Sequence, residues 1–126
     1  MSREAFGLLR KVHEVDEVLR KHLNQRRKVV EVHPELSFRM WQGRPMRYPK
    51  RKKAGKAERG RLIRGCWPEA VVRCETSFAR TECGLDDLYD AFAALWSARR
   101  EALGVAEQSP EIAPRDAHGL PMRIIA

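Results

Sequence analysis

Apolar residues recur at steps of three and four along the first part of the chain. Phe6, Leu8, Leu9, Val12, Val15, Leu19 and Leu23 fall on one face of a helix wound at about 3.6 residues per turn, with Glu14, Asp16, Glu17 and Lys21 between them. An amphipathic helix is predicted over residues 2–23, ended by Asn24 and the Gln25-Arg26-Arg27 cluster. The period then changes. Residues 28–33 are a β-branched run closed by Pro34, which predicts a strand, and its near-continuous apolar character predicts an interior place in the sheet. A short helical turn over residues 35–40 and a loop punctuated by Gly and Pro over 42–49 follow.

Residues 56–65 predict a second helix with little apolar content, only Ala57, Leu62 and Ile63, and hence a surface position with its basic face outward. Residues 66–75 contain Ala70-Val71-Val72 and fit either a short strand or a buried connection. The strongest stripe is Leu85, Leu88, Phe92, Leu95 and Trp96, predicting a core helix from 85 to about 103 with Gly104 as its stop. Residues 108–114 read as linker, and 120–126, with Met122, Ile124 and Ile125, as a terminal strand or docked tail. Strands and helices together predict an α/β (mixed α+β) fold.

With 126 residues the chain is long enough for one core and one domain, residues 1–126, and 43% hydrophobic composition excludes disorder. The longest uncharged stretch, between Asp90 and Arg99, is too short for a bilayer, and Ser2-Arg3-Glu4 is no apolar signal core. No membrane association and a cytoplasmic location are expected. Cys66, Cys74 and Cys83 form no C-x-x-C pair and His13, His22, His33 and His118 are scattered, so any metal would be held by oxygen.

Charge changes the picture. Against +8 for the whole chain, residues 44–64 carry ten basic side chains and the single acid Glu58, a local +9. Such density attracts a phosphate backbone and gains free energy by releasing its counterions, although a solvated loop that aids solubility has the same composition. Trp41 and Tyr48 flank the start of the run, where aromatic faces can stack on unpaired bases. Trp41 follows Phe38 and Met40 and is expected in the core.

Acids form the second candidate group. Asp86, Asp87 and Asp90 occupy the first turns of the predicted core helix, with Asp87 and Asp90 in one sector. Asp86 and Asp87 suit a helix N-terminus on dipole grounds alone, whereas Asp90 lies a turn further in. Glu31, inside the predicted strand, either faces solvent by alternation or belongs to a charged site. A magnesium ion held by two or three such acids would neutralise them.

Four blocks resemble one family: Glu31-Val32-His33-Pro34-Glu35 with Phe38; residues 50–59 with Gly55, Glu58 and Arg59; residues 86–91 with Ala98 and Arg99; and Asp116, Gly119 and residues 120–124. Together they resemble the C-terminal half of the predicted RNase H-like nucleases catalogued as domain of unknown function 429. Asp87, Asp90, Ala91 and Ala93 also resemble the D-x-x-D-A-x-A signature of Holliday-junction resolvases. The resemblance implies a partial RNase H-like fold, few strands flanked by helices, and a metal-dependent nuclease acting on nucleic acid. Glu31, Asp87 and Asp90 would be the catalytic acids and hold Mg2+ or Mn2+, two ions flanking the scissile phosphate. Arg47, Lys50, Lys53, Lys56 and Arg59 would hold the nucleic acid. The family's N-terminal strand meander, with its first-strand aspartate, has no counterpart here. The chain is therefore expected to be a truncated domain that binds nucleic acid weakly, cuts it poorly or not at all, and self-associates or needs a partner segment. A non-catalytic nucleic-acid-binding module, or a half-domain needing a partner chain, is the alternative expectation.

Overall fold

Aromatic rings set the helix arrangement. The Trp41 ring lies nearly parallel to Phe38 and Trp96, at centroid distances of 6.1 and 5.3 Å, and edge-on to Trp67 at 5.5 Å; Trp67 leans on Phe92 at 5.8 Å. Ile63, Val71, Tyr89 and Ala93 complete the buried core around Phe38 and Phe92. Trp41 is thus core, as its neighbours predicted.

The computed structural model describes residues 3–26, 28–79 and 81–126. Ser2 and Arg27, parts of the predicted first helix and its terminating cluster, lie outside the described residues. In chain order the elements are α1 (Arg3–Lys21), β1 (Glu31–Val32), α2 (Pro34–Gln42), α3 (Lys53–Cys66), α4 (Pro68–Ser77), α5 (Leu85–Ala102), β2 (Gln108–Ser109) and β3 (Ile124–Ile125). The fold is mixed α+β and mostly helical. No helix of the described residues is long and apolar enough to cross a membrane.

Local chemistry explains most boundaries. Pro34 fixes the first residue of α2, which runs a full nine residues rather than one turn. Pro68 does the same for α4, so that Ala70-Val71-Val72 is helical rather than strand or connection, with Val71 the buried residue of that helix. Asp86 and Asp87 sit in the first turn of α5 and Arg99 and Arg100 in its last, both favourable to the dipole. The helix ends where expected: Leu103 caps it and Gly104 follows at φ 70°, the left-handed conformation glycine adopts without a Cβ clash. Its inner face is Tyr89, Phe92, Ala93 and Ser97; Leu95, placed in the predicted stripe, points outward and is exposed.

The sheet corrects two expectations. Its order is β1-β3-β2, with β1 parallel and β2 antiparallel to β3. The run 28–33 yields only the two residues of β1, and they lie at the edge, with Val29 and Glu31 exposed. Turn hydrogen bonds from the amides of Lys28 and Val29 to the Gln25 carbonyl use up its start, and Pro34 closes its end. The interior strand is β3 from the terminal segment, where Ile125 is fully buried. The predicted linker supplies β2.

α1 keeps its apolar stripe exposed: Phe6, Leu8, Leu9, Val12 and Val15 all face solvent. Arg26 links its C-terminal end to the tail, donating to the carbonyls of Leu19 at 2.8 Å and His118 at 3.2 Å. Between α1, β1 and the tail runs an open groove of about 970 Å3, with Val15, Leu19, Val30, Glu31 and Leu120 in its walls.

Candidate nucleic-acid interface

The basic segment folds around the buried face of α3. Gly55, Glu58, Arg59, Gly60 and Ile63 are buried at helical spacing, so this helix is no surface appendage. A Cβ added to Gly55 would stand 2.0 Å from the Pro49 carbonyl oxygen; only glycine lets the loop backbone pass so close. Glu58, at 7% exposure, accepts from the backbone N–H of Arg47 at 3.0 Å, from that of Tyr48 at 3.1 Å and from Gln42 Nε2 at 3.3 Å. Burial works to raise its pKa, but the Arg47 and Tyr48 amides, Gln42 and the nearby Arg59 charge outweigh burial and hold the carboxyl below its ordinary value.

Arg59 corrects a sequence expectation. Placed on the phosphate backbone by the resemblance, it is instead 2% exposed. It forms a two-pronged pair with Glu35, at 3.0 and 2.6 Å, and Nη1 donates to the carbonyls of Tyr48 and Gly55. Four of its five N–H donors are taken inside the protein, which makes it a structural tie rather than a free phosphate contact. Lys50 and Lys56 also find internal partners: Lys50 Nζ lies 2.8 Å from Asp90 Oδ2, and Lys56 Nζ 2.7 Å from Asp86 Oδ1. The hydrogen bond from Lys50 to Asp90 raises the lysine's pKa, and the one from Lys56 lowers that of Asp86. Arg64 pairs with Glu75 at 2.7 Å.

Arg47 and Lys53, the other two expected contacts, are exposed and make no ion pair among the described residues, and the same holds for Arg44, Arg51, Lys52 and Arg61. Those last four belong to the basic run, but no local spacing separates them from the paired cations, because the acids that capture Lys50 and Lys56 lie far along the chain in α5. The basic segment is thereby divided: Lys50, Lys56, Arg59 and Arg64 are neutralised internally, and six cations face solvent.

The acids do not form the expected set. Among the described residues no group of three or more His, Cys, Asp or Glu side chains is gathered so as to hold a metal ion. Glu31 is exposed on the edge strand and lines the groove beside α1, whose walls include neither Asp87 nor Asp90. Asp87 is exposed, its carboxylate beside Gly84 at the helix cap. Asp90 receives the Lys50 ammonium, which competes with any cation for the same oxygen lone pairs. The proposed ligand set Glu31, Asp87 and Asp90 therefore does not fit Mg2+ or Mn2+, which require several hard oxygens converging on one point.

Fold and site together define a small, mostly helical α+β protein with an exposed cationic surface held on a charge-clamped loop. It belongs to the family described as Protein of unknown function (DUF429), whose model matches residues 1–115. No curated protein and no solved structure matches the chain.

Proposed function

We propose that the chain is a non-catalytic nucleic-acid-binding module that holds the phosphate backbone through Arg44, Arg47, Arg51, Lys52, Lys53 and Arg61. The division of the basic segment carries this reading: six exposed cations pair with no acid among the described residues, so an external polyanion is their natural counterion. α3 supports it further. It has no acid in its first turn and opens on Lys52 and Lys53, where the helix dipole is already positive, so these charges oppose local stability and favour an anion from outside.

The half-domain of RNase H-like type fits beside this function: the open edge of β1 and the bare stripe of α1 would accept strands from a second copy or a partner segment. Three free cysteines suit the reducing cytoplasm. The magnesium-dependent nuclease is the competing reading, and the ion pairs on Asp86 and Asp90 count against it.

Titration of a labelled oligonucleotide at rising salt, with magnesium and then with a chelator, tests the proposal. Affinity is expected to fall steeply with salt, equally in both conditions, and the oligonucleotide to stay intact. Salt-insensitive binding would refute the module; magnesium-dependent cleavage lost in Asp90→Ala would restore the nuclease.

A further inference from the structure

Tyr48 is exposed, at 40%, on a loop whose backbone is held from below at every polar atom of that residue. Its N–H donates to buried Glu58, its carbonyl accepts from buried Arg59, and Gly55 brings α3 against the adjoining Pro49 carbonyl. Burying two ions is unfavourable unless each is fully compensated, so this clamp is a demanding way to fix one short loop. The ring it presents takes no part in the aromatic core. Rigid support beneath an exposed aromatic is what a stacking surface requires, since no ordering of the loop then opposes binding.

The surroundings give the ring a ligand. Arg47 lies over it, with Cζ 5.4 Å from the centroid. Arg47 and Tyr48 form a ridge shared by two clefts, one of about 380 Å3 with the exposed Arg39 in its wall, the other of about 410 Å3 with Arg44 and Arg61. Cations on both sides of one exposed ring suit a chain of phosphates crossing the ridge with a base lying on the ring. In a duplex the base faces are covered by their neighbours; in a single strand they are open.

We infer that Tyr48 is a stacking platform for an unpaired base, and that the ligand of this surface is single-stranded nucleic acid. The inference rests on the binding function proposed above and narrows its substrate class. Selectivity for base identity is not expected, because every base has a π-face and the ridge offers charge rather than a fixed donor and acceptor pattern.

Fluorescence anisotropy with a short labelled oligothymidylate and with a blunt duplex of equal length tests it on the wild type, Tyr48→Ala, Tyr48→Leu and Tyr48→Trp. The wild type should prefer the single strand, and Tyr48→Ala should weaken that binding by about tenfold while leaving duplex binding and the salt slope unchanged. Tyr48→Leu, which keeps apolar bulk without an aromatic face, should behave as the alanine variant, and Tyr48→Trp should retain affinity. Salt-sensitive binding that ignores all three substitutions, or that is equal for duplex and single strand, overturns the stacking role and leaves the phosphate-binding function standing. Equal competition by polyglutamate against the wild type and Tyr48→Ala likewise overturns it, by making the surface a general polyanion site. Absence of salt-sensitive binding to either nucleic acid overturns both.

Discussion

α3 has two faces built from the same residue types. On the inner face Glu58 and Arg59 are buried beside Gly55 and Ile63; on the outer face Lys52, Lys53 and Arg61 are exposed with no partner among the described residues. A guanidinium on one side is a structural tie with four of its five donors taken, and a guanidinium on the other is a free charge. What separates them is the long-range environment: Glu35 and two carbonyls meet Arg59, and no acid among the described residues pairs with Arg61. Charge density along the chain therefore overstates the free cationic surface and understates the fold.

Substitutions should separate the faces by where their effect appears. The largest stability loss is expected for Arg59→Met, about 3 kcal/mol in urea denaturation, since it strands two carbonyls and one side of a largely buried pair; partial hydration of Glu35 keeps the value at the low end for such pairs. Gly55→Ala should follow at about 2 kcal/mol, because the methyl group meets rigid backbone at Pro49 rather than a movable side chain. Either variant behaving as wild type in the same denaturation would mean the loop is not held against α3.

Glu58→Gln should cost about 1–2 kcal/mol at neutral pH and change the acid response. The folded-state pKa of Glu58 lies below its ordinary value, so the unfolded chain binds the proton more readily. Its stabilisation is present above the ordinary carboxylate range and is lost as pH falls through the folded value. Asp86, depressed by Lys56, acts with the same sign. Measured from neutral pH downward, the gap between wild type and Glu58→Gln should narrow; a gap that widens would contradict the clamp. The smallest stability effect belongs to the outer face. Lys52→Ala with Lys53→Ala should shift thermal stability by no more than about 0.5 kcal/mol, upward if at all, because the helix dipole opposes both charges.

The same contrast explains what was legible in the sequence. Elements whose burial is written in apolar residues were readable: α5 with its Gly104 stop, and Trp41 in the core. The buried face of α3 was not, because its stripe is Gly55, Glu58, Arg59 and Gly60, which a hydrophobic period does not register. The predicted strand over 28–33 shrank to two residues because its register depends on β3, some ninety positions later in the chain. Glu31, Asp87 and Asp90 were legible as acids but not as neighbours. Local spacing cannot report that Lys50 and Lys56 reach across to α5 and take Asp90 and Asp86. α1 shows the opposite case: its amphipathic pattern was correct, yet a pattern names a face without naming what covers it.

The most direct measurement compares salt slopes of oligonucleotide binding for two variants that each remove two cations. One, Arg51→Ala with Arg61→Ala, loses only free charges; the other, Lys50→Ala with Lys56→Ala, loses only charges already paired with Asp90 and Asp86. The slope should be shallower by roughly 0.7–0.9 per residue in the first variant and little changed in the second. A slope that falls in the lysine variant and holds in the arginine variant would contradict this division of the cations.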